Sequence, residues 1–209
     1  FAWFGGLTGV QARHRVEGAH AIAQGKEDPN FYSYFIAHKD TGLERSDEFP
    51  KGIEGKTFTF GSRDATSGRL MPEHFIRTLG GKAPEDYFAS VAFSGGHNTT
   101  ALQVNEGVVE VGALSYTQYD KMVASGEIDK DVARIIWKTP VYADYNITAH
   151  PDLDKVYGAG FTTKLQKALV DMPTELVKPA FNRETLIEAK DADFAAIAEL
   201  AAQLGFLDN

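Results

Sequence analysis

Short apolar or β-branched runs alternate along the chain with loops of Gly, Ser, Thr and Asn, and then with segments of helical periodicity. Repeated in that order, they predict βα units and a parallel sheet. Phe1 to Phe4 is the first run; Gly5, Gly6, Leu7 and Thr8 follow it, and then GVQARHRV. The second run is TFTF, Thr57 to Phe60, followed by GSRDATSG and RLMPEHFIRTLGG. There Met71, Phe75, Ile76 and Leu79 fall at helical spacing, and Gly80 and Gly81 mark the stop. The third unit runs from Phe88 to Phe93 through SGGHN into TTALQVNEG, and the fourth places VVEVGAL before SYTQYDKMVASG, closed by Gly126.

Further on, two apolar runs between Ile135 and His150 flank TPVYADYN, and a helical reading follows from Leu153 or Phe161 to Met172. The last helix is ADFAAIAELAAQLG, with Gly205 as its stop. Two strand-like segments, Phe31 to His38 and Ile135 to Ile147, bracket a block with three βα units of its own. That bracketing predicts a lobe inserted between two crossover strands. Lobe 2 is placed at 39–141, and lobe 1 is built from 1–38 and 142–209.

A chain of 209 residues, 43% hydrophobic and 24% charged, can bury a core in one domain or two small lobes. Its apolar runs fall well short of the roughly 20 residues that span a bilayer. The net charge of −8 argues against nucleic acid or an anionic lipid surface as partner, since both need clustered cations. An acidic chain can still hold an anion, provided that backbone N–H groups and hydroxyls converge on it. The absence of cysteine removes disulfides, thiolate zinc sites and thiol nucleophiles together. FAWFGG reads as the middle of a strand and turn, which predicts an N-terminal piece beyond this start.

GSRDATSGRL carries the most chemistry. Thr66, Ser67 and Gly68 stand where a helix begins after a strand, so their hydroxyls and N–H groups point out of the strand's carboxyl end. Ligands of open α/β sheets lie there, and a helix start adds about half a positive charge. An ordinary Thr or Ser cap is the equal alternative. SGGHNTTA repeats the arrangement with His97 and Asn98; His97 can donate to an anion, more tightly when protonated, or can be a satisfied loop histidine. Tyr116 starts the next helix, as a third side or as packing. Phe31, Tyr32, Tyr34, Tyr142 and Tyr145 supply aromatic walls at the crossover segments. Phe4, at the end of the first strand, joins the candidate ligand-binding set. Asp144 favours a ligand that brings a proton or an amine, or is a turn residue after Pro140.

The P-loop and GxGxxG patterns are absent, as are HExxH and GxSxG. His14, His20, His38, His74, His97 and His150 have no metal-cluster spacing, and Glu127 to Asp131 reads as solvated helix surface. No catalytic residue, metal or cofactor is expected.

AWFGGLTG, GKTFTFGSRDATSGRLMP, SGGHNTTALQV and WKTPVYADYNI together resemble the substrate-binding proteins of phosphonate ABC transporters, with relatives that take phosphite, phosphate or selenate. The resemblance implies a type II periplasmic-binding-protein fold: two α/β lobes, two crossover strands, and a small tetrahedral oxyanion in the inter-lobe cleft. It also implies delivery to a membrane permease, in the periplasm or from a lipid anchor outside the cytoplasmic membrane. Thr66 and Ser67 match the family's Ser-Thr-Ser cluster, with Ala65 in place of the first hydroxyl, and His97 matches its ligand-binding histidine. Phe31 stands where relatives place a Tyr, a contact that Tyr32 can supply. Thr117 stands near a Glu that reads a ligand amine, and Asp144 matches an acidic cleft residue to within one position. Family members start with a signal sequence and about two βα units before AWFGG, so lobe 1 is expected to be incomplete. An oligomer or an exchanged segment is then predicted to cover its edge. The rival readings are a sensory or partner-binding domain, or an enzyme, on the same scaffold.

Overall fold

The computed structural model describes residues 1–207, which divide into two compact units. The first joins Phe1–Phe31 to the chain from Val141 onward, and the second is Tyr32–Pro140.

The first unit starts with strand β1 (Ala2–Phe4), helix α1 (Gly6–Arg15) and strand β2 (His20–Gly25). Gly6 and Gly9 let α1 lie against the returning chain. A Cβ on Gly6 would stand 3.0 Å from the Ala143 carbonyl oxygen, and one on Gly9 would stand 2.6 Å from the Asn146 amide.

The second unit then runs through β3 (Ser33–His38), β4 (Thr57–Phe60) and a helical stretch in three parts. The stretch opens with a π-turn at Thr66–Leu70, continues as α2 (Met71–Phe75) and ends in a second π-turn at Ile76–Gly80. Next come α3 (Pro84–Tyr87), β5 (Ser90–Phe93), α4 (His97–Asn105), β6 (Val111–Ser115), α5 (Tyr116–Ser125) and β7 (Ala133–Lys138). Sheet order is β5-β4-β6-β3-β7. β4 is parallel to β5 and β6, whereas β3 is antiparallel to both β6 and β7. Four of the five strands therefore end on the same edge.

Adjacent residues of β3 serve opposite faces of this sheet. Ile36 joins Ala101, Val104, Leu114, Tyr119 and Met122 beneath α4 and α5, and Phe35 packs on Phe58 and Trp137 on the other side. Full burial of each such side chain contributes roughly 1.5–3 kcal/mol. Gly112 of β6 brings α4 close, since a Cβ there would meet Thr100 Cγ2 at 2.8 Å.

Back in the first unit the chain forms β8 (Asn146–Ala149), α6 (Leu153–Tyr157), α7 (Phe161–Val170), α8 (Thr174–Phe181), β9 (Leu186–Glu188) and α9 (Ala195–Gln203). The sheet order is β1-β8-β2-β9, every pair antiparallel. β1 and β2, joined by α1, do run the same way, but β8 enters between them. The predicted parallel sheet is thus interrupted by a strand from the far end of the chain. Its core gathers Ile22, Ile147, Leu153, Leu169, Val177 and Leu186.

Several boundaries differ from the sequence reading. Phe31 to His38 is not a strand of the first unit: β3 pairs along its length with β6 and β7, so the chain changes unit between Phe31 and Tyr32. It returns between Pro140 and Val141, and Ile135 to Ile147 splits into β7 of one sheet and β8 of the other. Of the two starts expected for the helix ending near Met172, Phe161 begins α7 and Leu153 begins the separate α6, the break lying where Gly158 and Gly160 take positive φ of 100° and 79°. Glu127 to Asp131 is turn and not helix, exposed except for Ile128, which joins the core with Met122, because α5 ends on Gly126 in the left-handed region.

Candidate oxyanion site

Three helical segments of the second unit start at the carboxyl ends of three adjacent parallel strands: the π-turn after β4, α4 after β5 and α5 after β6. Their N-cap residues are Ala65, Gly96 and Ser115, and none makes a side-chain cap hydrogen bond. Thr66 is thus the first residue of its helical segment and not an ordinary hydroxyl cap. Each start presents backbone N–H groups that the helix itself cannot satisfy, at the positive end of the peptide dipoles.

His97 ties the three starts together. The backbone N–H of Ser115 donates to its Nδ1 at 3.3 Å. On its other side, a Cβ added to Gly68 would stand 3.1 Å from His97 Cε1, 3.2 Å from Ala65 Cβ and 3.3 Å from Gly61 Cα. Gly61 and Gly68 are drawn together by a hydrogen bond from Gly61 N–H to Gly68 O at 2.8 Å. A ring nitrogen that accepts carries no proton, so the proton of the neutral imidazole sits on Nε2. Loss of solvation pushes the imidazole down to about 4, so His97 is neutral near pH 7. In the ligand-free chain the ring is therefore neutral, with its N–H at Nε2.

Thr66 and Ser67 are 3% and 2% exposed. Ser33, paired with Ser115 across β3 and β6, donates its hydroxyl to Ser67 O at 2.7 Å and fixes the turn from below. Asn98 is exposed in the first turn of α4. Tyr116 stacks on Tyr32 with ring centroids 4.0 Å apart and planes at 19°. Tyr34 meets both rings edge-on, and burial together with its hydrogen bond to Tyr32 raises its hydroxyl well above the usual phenol range. The second unit thus gathers Gly68 with His97, and Tyr32 with Tyr116.

Three candidates lie in the first unit and differ from expectation. Phe31 is fully buried among Tyr142, Tyr145 and Arg183, with no surface left for a ligand. Phe4 lines a mainly apolar pocket of about 230 Å³ with Phe1, Ala12, Val16 and Ala149, whose lining also includes Thr148 and His150, so the ring itself sits among packing side chains. Asp144, 1% exposed, accepts from Gly6 N–H through Oδ1 at 2.8 Å. Through Oδ1 its carboxylate serves the start of α1, where negative charge is favoured.

Ser33 and Ser115 were missed as supporting residues, although the Ser that precedes Tyr116 at a strand end was a legible signal. Asp28 and Arg183 were missed without any such signal. They form a buried pair, 0% and 6% exposed, with Arg183 Nη2 2.6 Å from Asp28 Oδ1. Gly25 N–H donates to Asp28 Oδ2 at 2.8 Å, and Asp144 N–H to Asp28 O at 3.1 Å. Loss of solvation raises the Asp28 carboxyl, opposed by Arg183.

Residues 1–194 match the family model described as "ABC transporter, phosphonate, periplasmic substrate-binding protein". The chain belongs to this family. It is 32% identical to the Prochlorococcus marinus protein named "Probable ABC transporter phosphite binding protein PhnD1", covering 97% of this chain and 70% of that protein. It is also 27% identical to the phosphonates-binding periplasmic protein of Escherichia coli, covering 75% of this chain and 48% of that protein. The solved structure of the P. marinus protein in complex with methylphosphonate superposes with a TM-score of 0.90, covering 97% of this chain and 77% of that one. A binding-protein component of a phosphonate ABC transporter from Pseudomonas aeruginosa shares the fold at 19% identity and a TM-score of 0.78. The type II periplasmic-binding-protein fold and the role of a transporter's phosphonate-family binding component follow for this chain.

Proposed function

We propose that the chain captures a small tetrahedral oxyanion, methylphosphonate or phosphite first among them, and hands it to a membrane permease without transforming it. The observation that carries this reading is the convergence of three uncapped helix starts on His97. The P. marinus relative, named for phosphite and solved with methylphosphonate, supports the ligand class. Thr66, Ser67, Gly68, His97, Asn98 and Tyr116 are the donors assigned to the anion, with Tyr32 as an aromatic wall. All are uncharged, so the anion exchanges hydration for fixed dipoles without a buried counter-ion. Such a protein works outside the cytoplasmic membrane.

Calorimetry against methylphosphonate, phosphite, phosphate, sulfate and selenate tests the proposal. Binding of methylphosphonate or phosphite, weakened about tenfold or more by Ser67→Ala or His97→Ala, is the expected result. No heat from any of the five ends the reading.

A further inference from the structure

The start of α5 has no side-chain cap: the Ser115 hydroxyl bonds to Thr117 Oγ1 at 2.8 Å instead, and the Ser115 N–H is committed to His97. The first residue of the helix is held in a stack. The Tyr116 ring lies on Tyr32 with centroids 4.0 Å apart and planes at 19°, and Lys138 Nζ lies 3.8 Å from the centroid of the same Tyr32 ring. At these two distances the ammonium and the Tyr116 ring cannot share one face, so Tyr32 is clasped between them. Its rim, not its face, is what remains for a ligand to meet.

The sheet sets this clasp. Lys138 of β7 pairs with Tyr34 of β3, which puts Tyr32 diagonally across from it on the same face, within reach of a lysine stem. Ser33, between the two tyrosines, pairs with Ser115 and donates to Ser67 O, so the backbone that carries Tyr32 is registered on two of the helix starts. Tyr34 meets Tyr32 and Tyr116 edge-on and closes a third side. Lys138 itself is exposed and belongs to no ion pair among the described residues, so its charge is directed to the ring. One line of contacts thus runs from β7 through Tyr32 and Tyr116 to Ser115, whose N–H sets the His97 ring.

We propose that Lys138 is a positioning residue for the oxyanion: it presses Tyr32 onto Tyr116 and so fixes the start of α5, without touching the ligand itself. This rests on the reading under Proposed function and adds a residue to the support of the same site. A cation over an exposed aromatic face shifts an equilibrium about two- to fivefold. Because Lys138 acts through packed rings, its effect falls on the lifetime of the complex. A charge that merely steered the anion would act on the association rate and fade with salt.

The test is calorimetry and stopped-flow kinetics on the whole chain with methylphosphonate and phosphite. Lys138→Met keeps an apolar stem without the charge, and Lys138→Arg restores a cation over the ring. Lys138→Met is expected to weaken binding about threefold through faster release, equally at low and high salt, and Lys138→Arg to return the parent affinity. The tyrosine band of the near-ultraviolet circular dichroism, a signature of the stacked rings, should weaken in Lys138→Met and recover in Lys138→Arg. Melting temperatures of both variants are expected within about 2 °C of the parent. Parent affinity in Lys138→Met, no recovery in Lys138→Arg, or a loss confined to association and abolished by salt refutes the positioning role, and the oxyanion reading stands. If the parent binds neither anion, both fall.

Discussion

The backbone N–H of Ser115 points at Nδ1 of His97 from 3.3 Å, so the last residue of one strand sets the tautomer of the first residue of a neighbouring helix. The neutral ring keeps its proton on Nε2, and the assigned donor is fixed before any ligand arrives.

The cost of this arrangement is visible in pH dependence. His97 titrates near 6.5 when unfolded and at about 4 when folded. Between those values the unfolded chain holds the extra proton, so stability at this residue is full above pH 6.5 and is lost as pH falls toward 4. In urea titrations the parent should lose on the order of 2 to 3 kcal/mol more than His97→Gln over that window. Parallel curves for the two proteins would show that the ring is already solvated or charged.

A side chain at Gly68 would be tight, with His97 Cε1, Ala65 Cβ and Gly61 Cα all within 3.3 Å of an added Cβ, so a neighbour must give by a few tenths of an ångström. Gly68→Ala is expected to displace the imidazole and lower oxyanion affinity about tenfold, for a stability loss of roughly 1–2 kcal/mol. Calorimetry beside thermal melting separates the two effects.

Removing one member of the buried Asp28–Arg183 pair strands the other. Arg183→Met should destabilise the chain by roughly 3–5 kcal/mol, the range for an uncompensated buried charge. Adding Asp28→Asn, which retains an acceptor for Gly25 N–H, should restore a large part of that loss. Denaturant midpoints of the single and double variants check it.

Asp144→Ala deletes the acceptor for Gly6 N–H and should lower stability by about 1–2 kcal/mol. Competition binding with phosphite and sulfate is expected to keep the parent's order of preference. A reversed order would return Asp144 to ligand selection.

Much of the second unit was legible because each strand-to-helix turn is written in residues with few alternatives. SGGH and DATSG place glycine and hydroxyls where backbone must come close, and the two segments meet at Gly68 and His97. What stayed hidden depends on residues far apart in sequence. Phe31 looked like a cleft aromatic, yet its backbone pairs with Tyr142 and its ring is enclosed by Tyr145 and Arg183. Asp144 had the chemistry of a ligand contact, but its partner is the N–H of Gly6, 138 positions earlier. The place of β8 between β1 and β2 is equally invisible, since no local pattern reports which strand a sheet accepts from the distant end of the chain.

Ser33 and Thr139 are bonded at the mouth of the second unit: Ser33 N–H donates to Thr139 Oγ1 and Thr139 N–H to Ser33 O, each at 3.0 Å. Entry and exit of this portion of the chain therefore occupy one rung of a ladder. A gene fragment for 32–140 can be cut out with its ends already side by side, or spliced into a surface loop of an unrelated carrier. Either way the three turns proposed to hold the anion would travel together.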